Sequence, residues 1–179
     1  MYRKIMGFLE AWKESEHRKP LILQGARQVG KTYSILEFGR TYYENVAYFN
    51  FETNPKLNET FEENISPDYL IPILSHIAGQ TIVKEKTLIV FDEVQLCERA
   101  LNSLRFFSGS GWRVAATGSQ LGVATRRRRL PFPSGVQQET LHPLSFEEFL
   151  WAMGESGMPE EIRWHTETLE PYPAHERAL

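Results

Sequence analysis

The sequence has a single cysteine, no long hydrophobic run and no large excess of either charge. Cys97 cannot form an internal disulfide, and this fits a protein of the reducing cytosol. No apolar stretch approaches the length of a membrane span, and Glu10 and Lys13 interrupt the N-terminal one too early for a signal peptide. The sequence therefore predicts a cytoplasmic protein that does not enter a membrane.

The net charge and the spacing of the histidines argue against further classes of protein. The 20 basic and 23 acidic residues give a net charge of −3, which offers no general support for a nucleic-acid or membrane-surface protein. The five histidines are scattered without the spacing of metal ligands, so we expect no protein-bound zinc. A chain of 179 residues is long enough for one domain with its own core.

One stretch fits the phosphate-binding loop pattern of glycine, four free positions, glycine, lysine, and serine or threonine. It follows the short apolar run 20–24, which predicts a strand, and precedes the segment 33–43, which has helical spacing. A strand, a loop and a helix in this order are the context that the pattern requires. The predicted phosphate-binding residues are Gly25, Ala26, Arg27, Gln28, Val29, Gly30, Lys31 and Thr32.

The residue types in this loop suit a nucleoside triphosphate. Gly25 and Gly30 allow a sharp turn that points backbone N–H groups at a phosphate, and the helix that follows adds the positive end of its dipole. Lys31 would bring a positive charge to the outer phosphates, and the Thr32 hydroxyl would bind a magnesium ion. An ordinary glycine turn before a helix is the competing interpretation, and both flanks argue against it.

Residues 87–91 form a continuous apolar run, which predicts a strand buried on both faces of a parallel sheet. The run ends at Asp92 and Glu93, on the edge where open α/β sheets bind ligands. Asp92 could bind the magnesium ion through a water molecule, and Glu93 could orient and polarise the attacking water. A solvated strand exit is the alternative explanation of these two carboxylates.

Two later features give weaker signals. Ser119 follows a predicted strand over 112–117 and could reach the γ-phosphate or the attacking water, with a turn serine as the alternative. The one dense charge run of the sequence is Arg126, Arg127, Arg128 and Arg129. A solvated loop is the default interpretation of this run. Two more specific interpretations are an arginine that contacts the nucleotide of a neighbouring subunit and a patch that binds a nucleic-acid backbone.

Other elements follow from periodicity. An N-terminal helix has its apolar face formed by Tyr2, Ile5, Met6, Leu9 and Trp12. Ser145 with Glu148 forms a capping box that begins a late helix. The remaining predicted strands cover 46–51 and 136–141, and the remaining predicted helices cover 99–107 and, as two short pieces interrupted by Pro67 and Pro72, 57–78. Beyond residue 154 the chain is polar and shows no convincing apolar face.

These pieces together resemble the prokaryotic AAA-type ATPases of the group related to archaeal ATPases. The resemblance lies in segments 23–32, 46–52, 89–95, 117–119 and 144–150, in this order. It implies an α/β fold, the three-layer sandwich of a P-loop NTPase with five parallel strands in the order 5-1-4-3-2. It also implies that residues 25–32 are the Walker A loop, Asp92 the Walker B aspartate, Glu93 the catalytic glutamate and Ser119 a sensor.

The same resemblance sets an expectation for the domains. Members of this family usually continue into a second, C-terminal domain, so the chain is expected to be a fragment. Residues 1–154 would form the AAA-type ATPase domain, and residues 155–179 would be a linker or the start of a truncated C-terminal region. A pocket without its lid elements would bind adenine less tightly and turn over more slowly.

The leading hypothesis is an ATPase that uses magnesium and couples hydrolysis to a conformational change. Lys31, Thr32 and Asp92 would hold the metal nucleotide, while Glu93, Lys31 and Ser119 would serve catalysis. The alternative is a nucleotide-gated module with little turnover that binds a protein partner or DNA, for which the arginine run is the candidate surface. A homo-oligomer is compatible with both. The guanine-reading Asn-Lys-x-Asp pattern is absent from the sequence, which favours ATP.

Overall fold

The computed structural model describes residues 3–119, 133–155 and 157–169. The chain divides into a larger compact unit, residues 5–143, and a smaller one made of residues 1–4 and 144–179. The helices are α1 (Lys4–Glu14), α2 (Lys31–Tyr42), α3 (Leu57–Thr60), α4 (Pro67–Ala78), α5 (Glu98–Phe107), α6 (Phe146–Ala152) and α7 (Met158–Thr168). The strands are β1 (Leu21–Gln24), β2 (Asn45–Asn50), β3 (Thr87–Asp92), β4 (Arg113–Gly118) and β5 (Gln137–Thr140).

The larger unit is built on one sheet of five parallel strands in the order β2-β3-β4-β1-β5. This is the predicted order 5-1-4-3-2 read from the other edge, so the predicted topology is confirmed. β4 lies between β1 and β3, so the phosphate-loop strand and the Asp-Glu strand end at the same edge of the sheet, separated by one strand. In open α/β sheets this carboxyl edge is where ligands bind.

Two apolar layers bury the faces of the sheet. All six residues of β3 are buried, as the continuous apolar run predicts for a strand covered on both sides. Alternate strand residues point to opposite faces. Leu88 and Val90 pack with α1 and α2, whereas Ile89 and Phe91 pack with the layer that includes α4 and α5. Phe91 lies at the centre of an aromatic cluster, with ring contacts to Phe49, Phe51, Phe61 and Phe107.

One predicted interruption is wrong. Pro67 begins α4, as expected for a residue whose missing N–H is not needed in a first turn, but Pro72 lies inside the helix. Its ring removes a backbone hydrogen bond from the helix. Leu70, Ile71 and Leu74 are buried on one face of α4, and their packing outweighs that local cost.

The helix α7 was missed by the sequence analysis. Of its residues only Pro159 is buried, so the helix has little apolar periodicity to detect. Its start signals were present, since Pro159 lies in the first turn together with Glu160 and Glu161. The domain boundary at residue 154 stays a prediction. Among the residues that the structure describes, no helix has both the length and the apolar character needed to cross a membrane.

The predicted capping box at the start of α6 is confirmed within the smaller unit. The Ser145 hydroxyl accepts a hydrogen bond from the Glu148 N–H at 3.3 Å, and a Glu148 carboxylate oxygen accepts one from the Ser145 N–H at 2.9 Å. The other oxygen accepts from the Arg3 Nε and the Lys4 N–H, both at 2.9 Å. Burial by itself raises the pKa of Glu148, but these hydrogen bonds outweigh it and hold the pKa below the ordinary value of 4.5.

We expect Glu148→Gln to lower the free energy of unfolding by about 1–3 kcal/mol near neutral pH, because the carboxylate that faces Arg3 is lost. A carboxyl whose pKa is lowered by folding stabilises the protein above its unfolded pKa, and this stabilisation disappears as the pH falls through the folded pKa. The difference between the two proteins should therefore shrink below pH 4.5. Urea unfolding measured from neutral pH to pH 3 checks this. The exposed Glu167→Gln is the control, and a difference that stays constant with pH would contradict the assignment.

Candidate functional site

The loop between β1 and α2 needs its two glycines for different reasons. A side chain on Gly25 would place its Cβ 2.2 Å from the carbonyl oxygen of Leu141, at the end of β5, and the φ angle of Gly25 is 154°. Gly30 is the N-cap residue of α2 and has a φ angle of 94°, a left-handed value that side chains disfavour. The loop conformation therefore depends on glycine at both positions that the pattern specifies.

Lys31 is folded back over the loop and is only 4% exposed. Its Nζ donates to the carbonyl oxygens of Gly25 at 3.2 Å and Ala26 at 2.7 Å. Burial lowers the pKa of Lys31, and Arg27 adds to this, while the charges of Glu93 and Asp92 oppose it. The hydrogen bonds described for this ammonium group go to carbonyl oxygens and not to a carboxylate, so it can exchange them for phosphate oxygens.

Asp92, at the end of β3, is the most densely bonded side chain of the site and is 3% exposed. Its Oδ1 accepts from the Thr32 hydroxyl at 2.8 Å and from the Thr117 hydroxyl. Its Oδ2 accepts from the Tyr48 hydroxyl at 2.6 Å and from the Asn50 amide at 2.9 Å. The phosphate loop and three strands therefore meet at one carboxylate.

Tyr48 and Asn50 were not assigned a role by the sequence analysis. Both lie on β2, and Asn50 is the partner of Asp92 in the parallel register of β2 and β3. Tyr48 lies two residues earlier on the same face, since strand side chains alternate. Burial and the hydrogen bond to Asp92 raise the pKa of Tyr48 to about 12. Only the strand pairing, which the motifs do not contain, could have identified these two residues.

Glu93 follows Asp92 with a left-handed backbone, at a φ angle of 55°. Its N–H donates to the Thr117 hydroxyl at 3.2 Å. Its carboxylate accepts one hydrogen bond from the Ser119 hydroxyl and another from the Gln95 amide. The structure thus places Ser119 next to Glu93, and it adds Gln95, which the sequence analysis quoted only as part of a motif.

Lys31, Glu93 and Ser119 border a cavity of about 440 Å³, which Asp92 does not line. It includes two cations and two carboxylates, which is the composition expected of a site for a charged ligand rather than an apolar one. Of the predicted phosphate-binding residues, Gly25, Ala26 and Val29 do not line it, and Val29 packs instead against the core. The lining residues are Arg27, Gln28, Gly30, Lys31, Thr32, Tyr33, Glu52, Glu93 and Ser119.

The oxygen atoms of Thr32 and Asp92 can be compared with the ligands that a magnesium ion takes in proteins. Within the described ranges, no group of three or more His, Cys, Asp or Glu side chains is placed to hold a metal. Magnesium usually takes one or two protein oxygens and completes its shell with water and phosphate. Thr32 and Asp92 offer that kind of partial shell.

The predicted surface formed by the four arginines at 126–129 lies outside the described residues.

Comparison with known proteins gives a family match and matches to solved structures. A family model described as "AAA domain" matches residues 17–150. A solved structure of PCH-2 from C. elegans is similar with a TM-score of 0.45 and 13% sequence identity, over 90% of this chain. The matched part is 46% of the PCH-2 chain, so this chain spans about half its length. No curated protein matches the sequence.

Proposed function

Because the chain belongs to the AAA domain family, we propose that it is an ATPase that uses magnesium, with residues 25–32 as its Walker A loop and Asp92 as its Walker B aspartate. The family supports an ATP-binding, NTPase-type function. The observation that carries the finer proposal is the 2.8 Å hydrogen bond from the Thr32 hydroxyl to Asp92. It joins the end of the phosphate loop to the end of β3, where magnesium-dependent phosphoryl chemistry needs both groups.

The proposed roles follow from position and chemistry. The loop N–H groups and the Lys31 ammonium bind the phosphates. Thr32 and Asp92 hold the magnesium ion, which neutralises charge on the phosphate oxygens. Glu93 accepts a proton from the attacking water, since its carboxylate lines the cavity. Ser119 and Gln95 fix that carboxylate by donating one hydrogen bond to each of its oxygens.

Coupling to movement is the next part of the proposal. Asp92 and Glu93 contact side chains of three different segments, so a change in what occupies the cavity can be passed to the sheet edge. A homo-oligomer, which is common among AAA domains, and a cytoplasmic location stay predictions of the sequence. The alternative, a nucleotide-gated module that binds a protein or DNA, rests on the arginine run at 126–129.

The test is phosphate release by the purified chain with magnesium-ATP, with ATP plus EDTA, and with magnesium-GTP. We expect release with magnesium-ATP, none above background when EDTA removes the metal, and less with GTP. Calorimetry in parallel measures nucleotide binding. Binding without release would favour the nucleotide-gated module. A chain that neither binds nor hydrolyses ATP would overturn the proposal.

A further inference from the structure

The carboxylate of Asp92 has no acceptor position left. An ionised carboxylate offers about four lone-pair positions. The described donors fill all of them, with Thr32 and Thr117 on Oδ1 and Tyr48 and Asn50 on Oδ2. The water molecules that surround a bound magnesium ion are themselves donors and need acceptors. One of the four present donors must therefore leave before Asp92 can serve the metal.

The donors on Oδ1 are poorly placed to leave. The Thr32 hydroxyl oxygen can bind a metal while its O–H still donates to Asp92, because a hydroxyl has both a donor and acceptor lone pairs. Thr117 is fully buried and also accepts the Glu93 N–H at 3.2 Å. Moving it would leave buried polar groups unpaired, which is unfavourable.

On Oδ2 the two donors differ. Asn50 is fixed by its own side-chain oxygen, which accepts from the N–H groups of Glu52 at 2.9 Å and Thr53 at 2.8 Å and so holds the turn after β2. Tyr48 is 40% exposed and lies on an edge strand of the sheet. Its hydroxyl also accepts a hydrogen bond from the Asn50 amide at 3.0 Å. At this exposure water can replace both contacts when Tyr48 leaves Asp92, so its displacement costs least.

We propose that Tyr48 is a positioning residue that occupies Oδ2 of Asp92 in the nucleotide-free protein and yields this oxygen when the metal nucleotide binds. This inference rests on the proposed function. The Tyr48 hydroxyl holds the carboxylate in place before loading and opposes loading by the strength of one hydrogen bond. The movement of Tyr48 also gives β2 a contact that differs between the empty and the loaded protein.

The test compares Tyr48→Phe with the unmodified protein by calorimetry, using a non-hydrolysable ATP analogue with excess magnesium and with EDTA. Because the variant has no hydroxyl to displace, we expect it to bind the magnesium complex about 10-fold to 100-fold more tightly, the range that one hydrogen bond to a charged group, about 1.5–3 kcal/mol, allows. The affinity in EDTA should not change. A purely structural role for Tyr48 would instead leave both affinities unchanged or weaken both.

Tyr42→Phe is the matched control, since the Tyr42 hydroxyl also donates to a carboxylate, that of Glu10, at 2.6 Å, outside the cavity. Its metal-dependent affinity should equal that of the unmodified protein. Thermal melting verifies that each variant is folded, and Tyr48→Leu provides a second variant that lacks the hydroxyl. Magnesium-dependent affinity that is unchanged or weaker in a folded Tyr48 variant would overturn this inference alone. An unmodified protein that does not bind the magnesium complex would overturn the proposed function and this inference together.

Discussion

Glu93→Gln is expected to bind magnesium-ATP as the unmodified protein does and to release phosphate at least about 100-fold more slowly, since general-base catalysis commonly contributes a factor of about 100 to 10,000. Glutamine keeps the size of the side chain and can still accept a hydrogen bond from Ser119 or Gln95. It cannot take a proton from water at neutral pH. Single-turnover phosphate release together with calorimetry separates these two effects.

The cavity offers a matched control for this variant. Glu52 lines the same cavity but is exposed, and no contact links it to Asp92 or Ser119 among the hydrogen bonds described. Glu52→Gln should therefore change the rate by less than about threefold, the size of an ordinary surface effect. If Glu93→Gln hydrolysed ATP at the unmodified rate, Glu93 would not be the base, and a loss of the same size in both variants would indicate a general effect of charge.

The motifs of the site were predictable from sequence because each combines a local backbone requirement with a chemical one. Gly30 must adopt a left-handed conformation, and Lys31 must follow it at the start of a helix, so the pattern and the geometry constrain the same few positions. The continuous apolar run of β3 likewise predicts both the strand and the position of Asp92 at its end. The strand order came with the family resemblance and not with periodicity, which carries no information about which strands are neighbours.

What the sequence analysis missed depends on pairing between distant segments. Asn50 meets Asp92 only because β2 and β3 pair in parallel with that register. The reason for glycine at position 25 is similar, since the atom that would collide with a side chain belongs to Leu141, which follows β5. Such contacts are set by tertiary packing. No spacing rule within one segment can give them.

Lys31→Ala is expected to weaken the binding of magnesium-ATP about 10-fold to 100-fold, since a hydrogen bond to a charged group contributes about 1.5–3 kcal/mol and each 1.4 kcal/mol is a factor of ten. The fold should survive. Burial lowers the pKa of Lys31, so the nucleotide-free protein carries this charge at a desolvation cost. The variant has neither the charge nor this cost. Thermal melting and calorimetry on the same samples measure both effects.

Lys56→Ala removes a lysine that is exposed and outside the cavity, and it should bind magnesium-ATP like the unmodified protein. This control separates the phosphate contact from a general loss of positive charge. Arg27 is the other cation that lines the cavity, and it remains in the Lys31 variant. If folded Lys31→Ala still bound the nucleotide within about threefold of the unmodified protein, less than the factor of ten that 1.4 kcal/mol represents, then Arg27 and the backbone would be sufficient for binding. The central role assigned to Lys31 would then be wrong.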